Sequence, residues 1–211
     1  MSERIAQVEP AASAIDRIPH RTYARAQTVL FVGRRGYGKT WAMRRYLEAR
    51  EPRVLAFDPF NDFGGLALRE DVGEALADLS YYPTCRVRVT PPVGDDSREY
   101  AEVAFGAMID GEHPLRDALL VLDEITLWTR PIPTSTFEKL ILQGRRFGIR
   151  LAVACQRISL MPGIVLSEAT EMLLFRVTRP RDLDVLQEWA GKAIVVKVQS
   201  LQVGEALTIL L

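Results

Sequence analysis

The sequence predicts an α/β fold with a mostly parallel central sheet flanked by helices, and three observations carry that expectation. Short apolar runs alternate with longer amphipathic ones along the chain. The short runs are apolar almost without interruption, as strands buried on both faces require. A glycine-rich turn, "GRRGYGKT", joins the first of these runs to a helical pattern.

Taken in order, "TVLFV" (Thr28–Val32) is expected as the first strand, followed by a helix from Thr40 to about Glu48. "RVLAF" (Arg53–Phe57) and "CRVRV" (Cys85–Val89) follow as strands, with a helix over Glu70–Leu79 between them. Ser97–Ile109 has helical spacing, "ALLVL" (Ala118–Leu122) is strand-like, and Thr134–Arg146 is again helical. The strands "RLAVA" (Arg150–Ala154) and "MLLFRV" (Met172–Val177) precede a helix over Arg181–Ala190. Ser97 and Asp182 stand near helix starts, where capping residues are wanted. The tail, residues 194–211, is expected as a β-hairpin turning near Val203 and Gly204. Residues 1–27 show little periodicity and are assigned to an N-terminal arm, leaving 28–211 as one domain.

A chain of 211 residues, 48% hydrophobic and 26% charged, can bury a core without disulfides or metals. Cys85 and Cys155 are far apart in apolar runs, and His20 and His113 are isolated beside prolines. No disulfide framework or metal cluster is therefore expected, and a reducing compartment is the simpler setting. No apolar run is long enough to span a membrane. The first residues, "MSERIAQVEPAASAIDR", lack the basic-then-apolar pattern of a signal peptide. Net charge is formally zero, so any contact with nucleic acid must come from a local basic patch. Of the 27 basic residues only Lys39, Lys139, Lys192 and Lys197 are lysines.

Gly33, Gly38, Lys39 and Thr40 fit the pattern G-x-x-x-x-G-K-[ST], with Gly36 inside it. Glycine lets backbone N–H groups approach phosphate oxygens and permits the positive φ angles that curl such a loop. Lys39 suits the β- and γ-phosphates of ATP, the Thr40 hydroxyl suits Mg²⁺, and the helix that starts there turns its positive end to the anion. The candidate nucleotide-binding stretch is Gly33, Gly36, Tyr37, Gly38, Lys39, Thr40 and Trp41. Arg34 and Arg35 make the loop unusually basic; phosphate, a neighbouring subunit and solvent are all open to them.

In "ALLVLDEITLW" a buried-type strand delivers Asp123 and Glu124, two carboxylates that are costly together without a cation or a task. Asp123 suits the outer shell of Mg²⁺, and Glu124 suits polarising a water for attack on the γ-phosphate. The strand Arg150–Ala154 leads to Gln156, whose amide suits both γ-phosphate and attacking water. Upstream, Arg145 and Arg146 close a helix, where they favour the C-terminal dipole or act as arginine fingers on a neighbour's ATP; Arg176 and Arg179 are the other finger candidates. A GTPase would want Asn-Lys-x-Asp, and no lysine here is followed by x-Asp.

Together "VGRRGYGKT", "VLAFDPFNDFG", "LLVLDEITLW", "GRRFGIRLAVACQR" and "MLLFRVTRPRDLDVL" resemble the FtsK–HerA superfamily of P-loop DNA-pumping ATPases. Asp58-Pro59 resembles the Asp-Pro of the HerA branch, while Cys155 stands where the family usually has threonine before Gln156. In its brevity the chain resembles the genome-packaging ATPases of tailless, membrane-containing icosahedral viruses. The resemblance implies a RecA-like fold of the ASCE class and a ring of usually six copies, with ATP between neighbours and double-stranded DNA in the pore. It also implies a capsid or vertex protein as docking partner, and a place in the host cytoplasm or on the virion. The loop "ITLWTRPIPTSTFEK", with Trp128, Arg130 and Lys139, is the candidate for transmitting hydrolysis to DNA, a plain surface loop being the alternative. Competing expectations are a filamentous-phage assembly ATPase that extrudes single-stranded DNA, and a monomeric nucleotide or metabolite kinase. Asp123-Glu124 and Gln156 stand against the kinase.

Overall fold

The computed structural model describes residues 7–11, 28–48, 52–129 and 133–211. Most of the expected arm, His20 and Arg130 lie outside these described residues. In chain order the strands are β1 (Gln7–Pro10), β2 (Thr28–Val32), β3 (Arg53–Phe57), β4 (Ala67–Leu68), β5 (Cys85–Val89), β6 (Leu119–Leu122), β7 (Arg150–Cys155), β8 (Glu171–Leu174) and β9 (Glu205–Leu210). The helices are α1 (Lys39–Glu48), α2 (Val72–Tyr81), α3 (Ser97–Asp110), α4 (Thr126–Thr129), α5 (Ser135–Gly144), α6 (Gly163–Ser167), α7 (Pro180–Ala190) and α8 (Lys192–Ser200). A 3₁₀ turn over Arg145–Phe147 continues α5.

Among the described residues the strands form one sheet in the order β1-β9-β8-β2-β7-β6-β3-β5-β4. Every pairing from β8 to β4 is parallel; β9 runs antiparallel to both β8 and β1. Alternate residues of one strand serve opposite cores: Leu30 and Val32 face the larger cluster, Val29 and Phe31 the smaller. That explains why the strands are apolar throughout rather than alternating. Ala42, Met43, Tyr46 and Leu47 of α1 fill the smaller cluster, while α2, α3 and α5 pack on the larger.

Several expectations change. Residues 194–200 are helical, not the first arm of a hairpin, because Ile194 and Val198 bury at helical i, i+4 spacing. The antiparallel C-terminal pair does form, but between β8 and β9. Ser97 does not cap: its Oγ donates to the carbonyls of Gly94 and Leu127. Asp182 accepts from the Ser159 amide 23 residues away, at 3.0 Å, rather than capping α7. Caps are supplied instead by Asp71, which accepts from Glu74 N, and Thr134, which accepts from Phe137 N.

Trp128 is not on a DNA-facing loop but in the core, 1% exposed, edge-on to Phe57 at 5.8 Å. Phe57 also stacks on Phe105 at 5.6 Å, which lies 5.3 Å from Phe137. Such pairs contribute about 0.5–1.5 kcal/mol each beyond their buried area, enough to draw the indole inward. Lys139 donates to Asp110 at 2.6 Å on the surface. Of the expected arm, Gln7–Pro10 adds an edge strand to β9, and Ala11 N donates to Gly204 O at 2.8 Å.

Candidate active site

The phosphate loop, the acidic pair and Gln156 leave the C-terminal ends of β2, β6 and β7, and β7 lies between the other two. Three segments far apart in sequence thus reach the same edge of the sheet, where open α/β sheets hold ligands. The cleft there has a volume of about 660 Å³ and is lined by Arg35, Gly36, Gly38, Lys39, Thr40, Trp41, Phe60, Asp62, Asp123, Glu124 and Gln156.

The loop is hung from the neighbouring strands: Gly33 N donates to Cys155 O at 3.1 Å, and Arg34 N to Arg176 O at 2.9 Å. At Gly33 a Cβ would come within 2.6 Å of Phe175 Cβ, so no side chain fits. Gly36 and Gly38 sit at φ +84° and +105°, a curl that other residues resist. Tyr37 does not line the cleft. Its ring lies 6.0 Å from the Arg176 guanidinium and its carbonyl accepts from Gly204 N, so it braces the loop from behind.

Lys39 is 8% exposed and its Nζ donates to Arg34 O at 3.2 Å. Burial pulls its pKa down, against the opposing pull of Glu124 and Asp123. Asp123 is buried too, and burial, with Asp62, Glu124 and Asp58 nearby, pushes its carboxyl up to about 7. Lys39 pulls that pKa the other way, and burial outweighs it. Glu124 adopts φ +54°, unusual outside glycine, and its Oε1 accepts from Thr126 Oγ1 at 2.6 Å. Left-handed backbone at this residue turns the chain from β6 into α4 and holds the carboxylate at the cleft.

Asp62, Phe60 and Thr126 escaped the sequence reading. Asp58, by contrast, is structural: fully buried, it accepts from the amides of Asp62 and Phe63 at 2.6 and 2.8 Å and from Arg88 Nη1 at 3.2 Å. That turn carries Phe60 and Asp62 to the cleft rim. Arg145 and Arg146 are exposed at the opposite end of β7 from Gln156, about 20 Å away along a six-residue strand. They cannot serve their own cleft in this arrangement.

The donors fit Mg²⁺ with a nucleoside triphosphate. Thr40, Asp123 and Asp62 offer only oxygen, which a hard cation prefers, and Mg²⁺ typically takes one or two carboxylates plus phosphate and water. Among the described residues no three His, Cys, Asp or Glu side chains form a ready-made metal cluster. No described helix is long and apolar enough to cross a membrane.

Residues 22–160 match the family model described as an AAA domain. The chain belongs to the AAA domain family. No curated protein is significantly similar to this AAA domain in sequence. Its fold is similar to that of the genome packaging NTPase B204 from Sulfolobus turreted icosahedral virus 2. The complex of B204 with AMP superposes with TM-score 0.66 at 19% identity, over 84% of this chain and 89% of that one. The complex with ATP-gammaS superposes with TM-score 0.68 at 17% identity, over 84% and 88%. At these identities the likeness to B204 is one of fold.

Proposed function

We propose that this AAA domain hydrolyses ATP with Mg²⁺ and couples the hydrolysis to moving double-stranded DNA, packaging a viral genome into a preformed capsid. One observation carries the hydrolytic part: a glycine loop with Lys39, the Asp123-Glu124 pair and Gln156 line a single cleft. The likeness to a genome packaging NTPase supports the packaging part.

Gly36 and Gly38 leave the loop amides clear of side chains for phosphate oxygens, and Lys39 adds its ammonium there. Thr40 and Asp123 would hold Mg²⁺, which would supply positive charge to offset that of the phosphates. Glu124 orients a water and takes its proton as attack proceeds. Gln156 holds that water from the other side. Trp41 and Phe60 flank the rim as apolar surfaces for the nucleoside.

The chain would work as a ring of its own copies, six as is usual in the superfamily its motifs resemble, with duplex DNA held through phosphates in the pore. Arg145 or Arg146 would complete a neighbour's site. A capsid or vertex protein would dock the ring, in the host cytoplasm or on the virion.

The test is Glu124→Gln. Mg-ATP affinity should stay within a few-fold of wild type while turnover falls by ~10²-fold or more, because only water activation is removed. Loss of nucleotide affinity instead would make Glu124 a metal ligand or a structural residue.

A further inference from the structure

Behind the phosphate loop lies a second cavity of about 430 Å³, at the C-terminal ends of β2, β7 and β8. It shares Arg35 and Gln156 with the nucleotide cleft, so those two side chains form the partition between them. Arg34, Arg157 and Arg179 add three more guanidinium groups to its wall.

Among the described residues only one carboxylate lines this chamber, and it is engaged. Asp182 is 2% exposed, accepts from Ser159 N at 3.0 Å, and faces Arg157 Nε at 3.8 Å. That separation is an ion pair without a hydrogen bond, and Arg157 Nε is buried with no hydrogen-bond partner. Arg34, Arg35 and Arg179 have no carboxylate partner among the described residues. The chamber also opens at the N-terminus of α7, where Arg179 is the N-cap residue and its side chain makes no capping bond.

Like charges gathered in a concave wall repel one another until an anion enters. Guanidinium donors are arranged in a planar fork that matches the oxygens of phosphate. The volume exceeds what one phosphate and several waters need, water occupying about 30 Å³ each.

We infer that this chamber is a second anion subsite, taking a tetrahedral oxyanion of the phosphate class. The source is either the phosphate cut from ATP, leaving past Gln156, or a phosphate of a nucleic-acid backbone. The first source rests on the hydrolysis proposed above; the subsite itself does not.

The experiment is equilibrium dialysis of labelled inorganic phosphate against the full chain, with the cleft filled by Mg²⁺ and the β,γ-methylene analogue of ATP. That analogue occupies the γ-position, so phosphate bound there is not counted. Wild type should take up about one phosphate per chain, and raising the salt should weaken the uptake. Arg157→Ala removes one guanidinium from the chamber wall and Thr178→Glu adds an opposing carboxylate there, and each should lower phosphate affinity about tenfold, with analogue affinity within about twofold of wild type. Retained analogue binding also reports that the variants fold. No uptake by wild type, or equal uptake by both variants, overturns the inference. If the analogue itself fails to bind, the ATPase reading falls, and phosphate uptake by wild type against the variants still decides the subsite. Duplex DNA that displaces the phosphate identifies a nucleic-acid backbone as the ligand, and phosphate that stays identifies the hydrolysis product; either result upholds the subsite.

Discussion

Asp123 sits almost sealed from water, beside Glu124, Asp62 and Asp58, with Lys39 the cation opposing them. Its carboxyl rises from 3.8 to about 7, which makes the ionised form a burden on the nucleotide-free fold. Between those two values the unfolded chain holds fewer protons than the folded one, so this group's effect on stability worsens as pH rises and levels off above about 7. Asp123→Asn should therefore stabilise the metal-free chain at pH 8 by something on the order of 1–4 kcal/mol. The gain should shrink towards pH 5, and Mg²⁺-dependent nucleotide binding should weaken. Thermal melts in chelator at both pH values check this; a variant less stable at pH 8 would mean the carboxylate is held by a favourable contact. Lys39, Asp123, Glu124 and Gln156 were legible because each follows a strand within a recognisable motif. Asp62 and Thr126 were not. Asp62 reaches the cleft only through the Asp58 turn, and Thr126 matters only because left-handed backbone at Glu124 folds it back on that carboxylate.

Among elements, the buried strands were the most readable, since β2, β3 and β5 begin and end where their apolar runs do. The segment "IVVKVQS" was not: its β-branched residues favour a strand, yet packing of Ile194 and Val198 makes it helix α8. Tertiary burial won over local preference. Trp128 escaped for a similar reason, since nothing local announces that Phe57, 71 positions earlier in the chain, offers a ring to pack on. The phosphate loop is the opposite case, because its glycines are required by backbone contact alone. Gly33 lies against Phe175, so Gly33→Ala must push the loop away from β8. Unfolding free energy should drop by about 2 kcal/mol or more, as overpacking commonly costs 1–3 kcal/mol, and nucleotide affinity should drop with it. Denaturant melts with and without Mg-nucleotide measure both. Unchanged stability would show that the loop yields freely at this point.

For the whole molecule, the distance of Arg145 and Arg146 from their own cleft makes the proposed contribution to a neighbour's site testable by subunit mixing. Arg146→Ala and Glu124→Gln should each be inactive as pure assemblies. Mixed in equal amounts with subunit exchange confirmed, they should recover about a quarter of wild-type turnover if sites fire independently, because one interface in four combines an intact Glu124 with an intact Arg146. No recovery with either Arg145→Ala or Arg146→Ala would move the finger to Arg176 or Arg179 or leave these arginines as helix-end charges. The central claim, that ATP hydrolysis by this AAA domain is coupled to duplex DNA, is tested most directly by one measurement. Mg-ATP turnover is followed with and without duplexes of unrelated sequence, beside sedimentation of the same samples. Turnover that rises several-fold on any duplex, in an assembly the size of a ring, and falls back as salt increases is the predicted result. A monomer whose turnover ignores duplex DNA would contradict it.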